Sequence, residues 1–160
     1  MTLRIRQASA ADLTDIKLLL RESAEYLNAI DEPEPVLDEE IDRIEQLAFG
    51  PGAVCTVLIA EADGKVAGHL SYFWGLSMEG VAPALFVGDL YVRGGYRGQG
   101  IGRMLMQHVR EIAQARGANQ VLWTVWGKNG AAQAFYRRLG ARNYDEEVLM
   151  TWPASPAQDP

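Results

Sequence analysis

A single cysteine and two histidines in 160 residues exclude a disulfide framework and leave too few ligands for a usual zinc site. Cys55 sits in an apolar stretch, where a thiol is usually inert, so it is not read as a nucleophile. His69 and His108 read as packing residues. No apolar run approaches the roughly 20 residues needed to cross a bilayer. Met1-Thr-Leu-Arg-Ile-Arg has neither the apolar core nor the cleavage site of a signal peptide. Three of the seven prolines fall in residues 153–160, and no repeat or linker divides what precedes them. The expectation is one metal-free, cytoplasmic domain over residues 1–152, followed by a flexible C-terminal tail over 153–160.

Bases are nearly absent from residues 22–45, which hold ten acids against Arg43 alone. Acids are nearly absent from residues 93–142, which hold nine bases against Glu111 alone. The net charge of −6 hides this division. One segment attracts cations and the other anions. A polyanionic ligand and a cationic one fit it together, whereas nucleic acid as the main partner does not, because the acidic segment repels phosphate.

What the sequence has in plenty is glycine, concentrated between Leu85 and Leu105. Leu85 to Val92 is β-branched, aliphatic and aromatic, with Asp89 as its only charge, and reads as a buried central strand. Gly94, Gly95, Gly98, Gly100 and Gly102 follow, where the backbone must bend freely or approach a ligand closely. Met104, Leu105, Val109 and Ile112 then recur at helical spacing, so the glycines stand at a helix N-terminus. Unpaired N–H groups and the positive dipole end there suit a phosphate or pyrophosphate, and Arg97 adds a full charge. The stretch lacks the Gly-Lys-Ser/Thr ending of a P-loop. It also misses the dinucleotide fingerprint, because Arg103 occupies the place of the third glycine.

The run Arg97-Gly98-Gln99-Gly100-Ile101-Gly102 matches Arg/Gln-x-x-Gly-x-Gly. It resembles the acetyl-CoA pyrophosphate loop of the GNAT superfamily of N-acetyltransferases, and the surrounding residues are most similar to the diamine (spermidine/spermine) branch. A second stretch, Asn129-Gly-Ala-Ala-Gln-Ala-Phe-Tyr136-Arg-Arg-Leu-Gly140, is similar to another motif of that family. The resemblance covers about residues 3–152 and is strong from 84 to 140.

Around these motifs the pattern predicts a strand over 2–8 and a helix begun at Ser9, with Leu13, Ile16, Leu20 and Leu27 on one face and the Ser9 oxygen capping free N–H groups. A shorter helix carries Leu37, Ile41, Ile44 and Leu47. A hairpin joins strands 54–62 and 66–76 through Ala62-Asp-Gly-Lys65. The central strand and long helix lead to a strand over 120–126, a helix over about 130–139 and a last strand over 148–152. The order β-α-α-β-β-β-α-β-α-β is also that of GNAT proteins, so the resemblance implies the α/β (α+β) GNAT fold with a mixed central sheet.

The resemblance implies direct transfer of acetyl from acetyl-CoA, as co-substrate, to an amine. Asn129 is implied to contact the cofactor arm, and Tyr136 to lie beside the thioester sulfur and protonate the leaving thiolate. Leu90 or Tyr91 supplies a backbone N–H to the developing oxyanion. Leu90, Tyr91, Val92, Arg97, Gly98, Gln99, Gly100, Ile101, Gly102, Asn129 and Tyr136 make up the implied cofactor site, with no metal. Asp89 is the candidate base, with Glu79 the alternative. The diamine branch often carries Glu-Asp where this chain has Gly88-Asp89. Tyr72, Trp74, Asp89 and Glu79 are the candidate acceptor contacts, the aromatics attracting an ammonium group. The expected acceptor is a small cationic amine such as a polyamine, diamine or amino-sugar, with no nucleic-acid or membrane partner and a homodimeric assembly. A protein N-terminus or lysine is the second reading, and a non-catalytic acyl-CoA-binding module the third.

Overall fold

Period-two alternation along residues 56–92 builds most of a sheet, and the faces of that sheet decide where the site residues of β3 and β4 sit. The computed structural model describes residues 2–30, 35–77, 79–144, 149–152 and 154. They fall in two compact units, residues 1–129 and 130–160.

In the first unit the elements are β1 (Leu3–Gln7), α1 (Leu13–Asn28), α2 (Asp38–Asp42), α3 (Ile44–Phe49), β2 (Thr56–Ala62), β3 (Lys65–Ser77), β4 (Ala82–Val92), α4 (Ile101–Ala115) and β5 (Gln120–Leu122). The sheet runs β1-β2-β3-β4-β5, antiparallel except for the parallel pair β4–β5. Asp63 and Gly64 both take positive φ, 49° and 77°, which lets a two-residue turn close the β2–β3 hairpin with the twist that paired strands need.

One face of the sheet carries Val57 and Ile59, which bury against Ile16 of α1 with Leu20, Ile44, Ala48, Phe49 and Val66 around them. On the other lies α4. Its buried stripe of Ile101, Leu105, Val109 and Ala113 follows the helical period, and the helix touches every strand. Gly117, at φ 73°, ends that helix, with the Gly117 and Ala118 amides donating to Gln114 and Ala113.

Several expected elements differ. At the start of α1 Ser9 does not cap alone but forms a capping box with Asp12: the Ser9 amide and hydroxyl donate to the Asp12 carboxylate at 2.8 and 3.0 Å, and Arg6 adds a two-pronged pair at 2.7 and 2.8 Å. The helix foreseen around Ile41 and Ile44 is broken at Arg43 into α2 and α3, with Leu37 and Leu47 exposed. The strand over 120–126 stops at Leu122. Residues 149–152 form no strand and are exposed, while 148 lies outside the described residues. Apart from Ala154, so does the expected tail.

The second unit contains α5 (Gly130–Arg138), which ends at Gly140 with φ 89°. No described helix is long and apolar enough to cross a membrane.

Candidate active site

Simple alternation would bury Asp89 on the apolar α4 face. Leu85 and Val87, earlier on the same phase, pair there with Trp74 and Tyr72. Instead the register slips: Tyr72 pairs with Val87 but Ser71 pairs with Asp89, leaving Gly88 as the extra residue of a β-bulge. The bulge turns Asp89 to the α1 face. Gly88 fits because a Cβ there would stand only 3.0 Å from the Ser71 hydroxyl.

On that face Asp89 Oδ2 lies 2.9 Å from Nε2 of His69, itself buried on β3. Burial pushes the Asp89 carboxyl up. The hydrogen bond and attraction of His69, the Leu90 amide and the Ser23 hydroxyl of α1 more than offset this, so the group sits below the usual carboxylate range.

Beyond Asp89 the edge of β4 opens. β5 pairs only with Ala84–Phe86, so β4 has no strand neighbour on that side from Val87 onward among the described residues. The Arg93 amide donates to Ala67 at 2.9 Å. Antiparallel alternation therefore turns the Tyr91 amide toward β3, and the Leu90 and Val92 amides toward the open side. Of the two expected oxyanion donors, Leu90 is the one so directed, and its N–H already donates to the Asp89 carboxylate.

The glycine stretch follows directly. Gly98 and Gly100 adopt φ of 75° and 84°, and Gly100 caps α4. Among the described residues the amides of 98–103 donate to no backbone carbonyl; the first helical bond is Met104 to Gly100. A Cβ at positions 94, 95, 98 or 100 would meet nothing within 4 Å. An open row of donors at the positive end of a 15-residue helix fits a pyrophosphate.

Arg97 is placed differently from the simple expectation of a charge beside that anion. Its Nε donates to the Val92 carbonyl at 2.8 Å, and its guanidinium lies 4.2 Å from the Tyr26 ring centroid and 5.3 Å from that of Tyr91. Burial and Glu22 push the Tyr91 phenol up, which keeps it a neutral partner for the cation. Arg93 spans from the Val66 carbonyl to Glu22, 3.1 Å away. Glu22, Ser23 and Tyr26 thus fasten α1 to the part of β4 that matters.

The structure does not bring the other acceptor candidates to Asp89. Tyr72 and Trp74 lie on the α4 face, Tyr72 buried and Trp74 beneath the Arg116 guanidinium at 4.4 Å. Of the three neighbouring aromatics it is Phe73, half-exposed and stacked on Phe86 at 5.3 Å, that shares the Asp89 face. Glu79 accepts from Gln120 at 2.6 Å, beyond the opposite end of β4. Gln99 donates to the Gly95 carbonyl and stabilises the loop.

Asn129 is buried, its amide donating to Trp126 at 2.9 Å. Tyr136 belongs to the second unit, where its ring lies 5.0 Å from that of Phe135. His69 and Ser23 were missed as site residues. A lone glycine inside a strand pattern was the available signal, since it marks a bulge that re-aims its neighbours. Among the described residues no cluster of metal-ligating side chains occurs.

Comparison with known proteins gives a consistent picture. The profile of the Acetyltransferase (GNAT) family matches residues 19–141. The thialysine N-epsilon-acetyltransferase of Bos taurus is 32% identical over 148 residues, covering 89% of this chain and 85% of that one. The Homo sapiens spermidine/spermine N(1)-acetyltransferase-like protein 1 is 26% identical over 150 residues, 90% of this chain but 21% of that protein. The crystal structure of a probable acetyltransferase superposes with a TM-score of 0.77 at 21% identity, across 95% of this chain and 98% of the other, a likeness of fold.

Proposed function

The chain belongs to the GNAT acetyltransferase family and is an acyltransferase, and from this we propose that it moves acetyl from acetyl-CoA to the primary amine of a small cationic acceptor. GNAT acetyltransferases use acetyl-CoA as co-substrate, which supplies an activated thioester. The observation that carries the reading is the Gly88 bulge, which turns the lone strand carboxylate, Asp89, from the α4 face to the α1 face, beside the open edge of β4.

Each residue then has a task. The amides of Gly98, Gln99, Gly100, Ile101 and Gly102 hold the pyrophosphate. Arg97 braces the loop against Tyr26 and Tyr91 and adds its charge nearby. The Val92 amide, on the same open side as that of Leu90, whose N–H is engaged by Asp89, faces the acetyl carbonyl and stabilises the oxyanion as it develops. Asp89 receives the acceptor's ammonium group and takes its proton, so that the free amine attacks the thioester carbonyl as an effectively unimolecular step. Tyr136 protonates the departing thiolate and Asn129 contacts the cofactor arm, roles assigned by their motif.

A cationic acceptor agrees with the charge of this region, although part of the acidic segment is already paired. Glu22 binds Arg93, Asp38 binds Arg21, and Asp42 binds Lys17 at 2.7 Å. Glu25, Glu39 and Glu40 remain exposed. The names of the thialysine and spermidine/spermine relatives point to the same class, an aliphatic amine carried on a chain with further charge. The proposal includes a cytoplasmic homodimer, supported by the family resemblance.

Release of free CoA thiol from acetyl-CoA, measured against thialysine, polyamines, aminoglycosides, amino acids and basic peptides, tests the reading. Turnover confined to small amines supports it. Turnover with peptides alone moves the acceptor to protein, and cofactor binding without turnover makes the chain an acyl-CoA-binding module.

A further inference from the structure

His69 is an expensive residue for a packing position. It is 1% exposed, and its Nδ1 is buried with no hydrogen-bond partner among the described residues. A leucine or phenylalanine would fill such a place without stranding a polar atom. Among the described residues the ring's one polar contact is Nε2 with Asp89 Oδ2, at 2.9 Å. His69 reaches it diagonally across the β3–β4 ladder, since His69 pairs with Tyr91 and Ser71 with Asp89. Only the Gly88 bulge puts both side chains on one face. The same carboxylate also accepts from the Ser23 hydroxyl and the Leu90 amide.

Three donors from α1, β3 and β4 therefore converge on one carboxylate, which has about four lone-pair positions. Asp89 stays 33% exposed while His69 is closed off. About one acceptor position is left, on a carboxylate that is itself part-exposed.

We infer that His69 is a positioning residue for the acceptor amine: its Nε2–H fixes Asp89 so that the remaining lone pair meets the incoming ammonium group in a single orientation. The inference rests on the acetyl-transfer reading and deepens it. A preorganised carboxylate binds an ammonium N–H without first losing rotamer freedom and stands in line to take the proton. His69 does not touch the acceptor and transfers no proton, because the proton it shares with Asp89 is the one that holds the pair together.

The test uses the full chain with acetyl-CoA and thialysine. His69→Phe keeps the volume and removes the donor. It is expected to lower kcat/KM for thialysine roughly 10- to 100-fold, the range seen when a supporting partner is lost. The KM for acetyl-CoA should hold within about twofold, a split that general loosening would not produce. His69→Gln, which carries a donor near the Nε2 position, should recover most of the loss. In an Asp89→Asn background His69→Phe should have no further effect, because the two act as one unit.

Equal losses in His69→Phe and His69→Gln, or additive losses with Asp89→Asn, overturn the inference. Should His69→Phe fail to fold, ring nitrogen NMR of the wild-type chain decides: a slowly exchanging proton on Nε2 is expected, and a proton on Nδ1 with Nε2 bare contradicts it. A wild-type chain that acetylates no amine overturns the acetyl-transfer reading itself, whereas an active wild type with an unaffected His69→Phe overturns this inference alone.

Discussion

Asp12 and Asp89 are both held below the usual carboxylate range in the folded chain, and they do different work. Asp12 is pulled down chiefly by Arg6, against the opposing effect of burial, with Ser9 adding to the shift. It ties β1 to the start of α1. Its folded value lies below the unfolded one, so its contribution is present above about pH 4 and disappears as pH falls. Asp12→Asn should therefore cost about 1–3 kcal/mol at pH 7. The gap in melting temperature between wild type and variant should begin to narrow as pH falls below about 4 and still be clear at about pH 3, closing only at pH values below the folded-state value.

Asp89 is proposed to belong to the chemistry. Asp89→Asn and Tyr136→Phe should each lower kcat by about 10²- to 10⁴-fold, the usual range for general acid and base groups, and Asp89→Asn should also lower the melting temperature, because its carboxylate is held by His69, Leu90 and Ser23 in the folded chain. Steady-state kinetics beside thermal unfolding separates the two effects. Asp89 was legible in the sequence as the single charge of an apolar strand. His69 was not, because its distance to Asp89 is set by cross-strand register, and register changes by one residue at a bulge.

Elements are placed by their glycines in three separable ways. At Gly68 a Cβ would stand 2.5 Å from the Tyr91 carbonyl, inside the β3–β4 ladder, so that backbone must move. Gly68→Ala should destabilise by about 1–3 kcal/mol. At Gly95 the space is open, and Gly95→Ala should stay within about 0.5 kcal/mol of wild type in denaturant unfolding. Gly100 lies between these cases: the space is open but φ is 84°, so Gly100→Val strains the turn that aims the α4 amides. Its signature should be a raised KM for acetyl-CoA with kcat for the bound complex less affected.

The strand–turn–helix around these glycines was readable because turn residues and helical period agree over about twenty positions. The apolar run ending at Trp126 misled. It reads as one buried strand, yet Val125 and Trp126 are exposed once β5 leaves β4 after three residues. That divergence opens the β4 edge, and no local periodicity encodes it. The split of α2 from α3 at Arg43 was equally hidden, in a segment whose apolar positions keep helical spacing throughout.

At the scale of the whole molecule, the division of charge has a structural counterpart. The base-rich half contributes the glycine loop and α4, and the acid-rich half contributes α1, which crosses to β4 through Glu22, Ser23 and Tyr26. Under the proposed reading, cofactor and acceptor groups are thus assembled on one strand from opposite ends of the charge distribution. A ligand that binds only the folded chain stabilises it, and CoA at about 100 times its dissociation constant should add about 2.7 kcal/mol and raise the melting temperature. Gly100→Val should abolish most of that rise at the same concentration. The membership of the family was legible from two short motifs. The acceptor is less so, because recognition of an amine depends on which side chains share a face with Asp89. The most direct measurement is CoA thiol release from acetyl-CoA with thialysine and polyamines as acceptors, wild type beside Asp89→Asn. Saturable release by the wild type, lost in Asp89→Asn while CoA still shifts the melting temperature of both, is the predicted result. Release that is equal in the two proteins, or absent from the wild type with every amine although CoA binds, would contradict it.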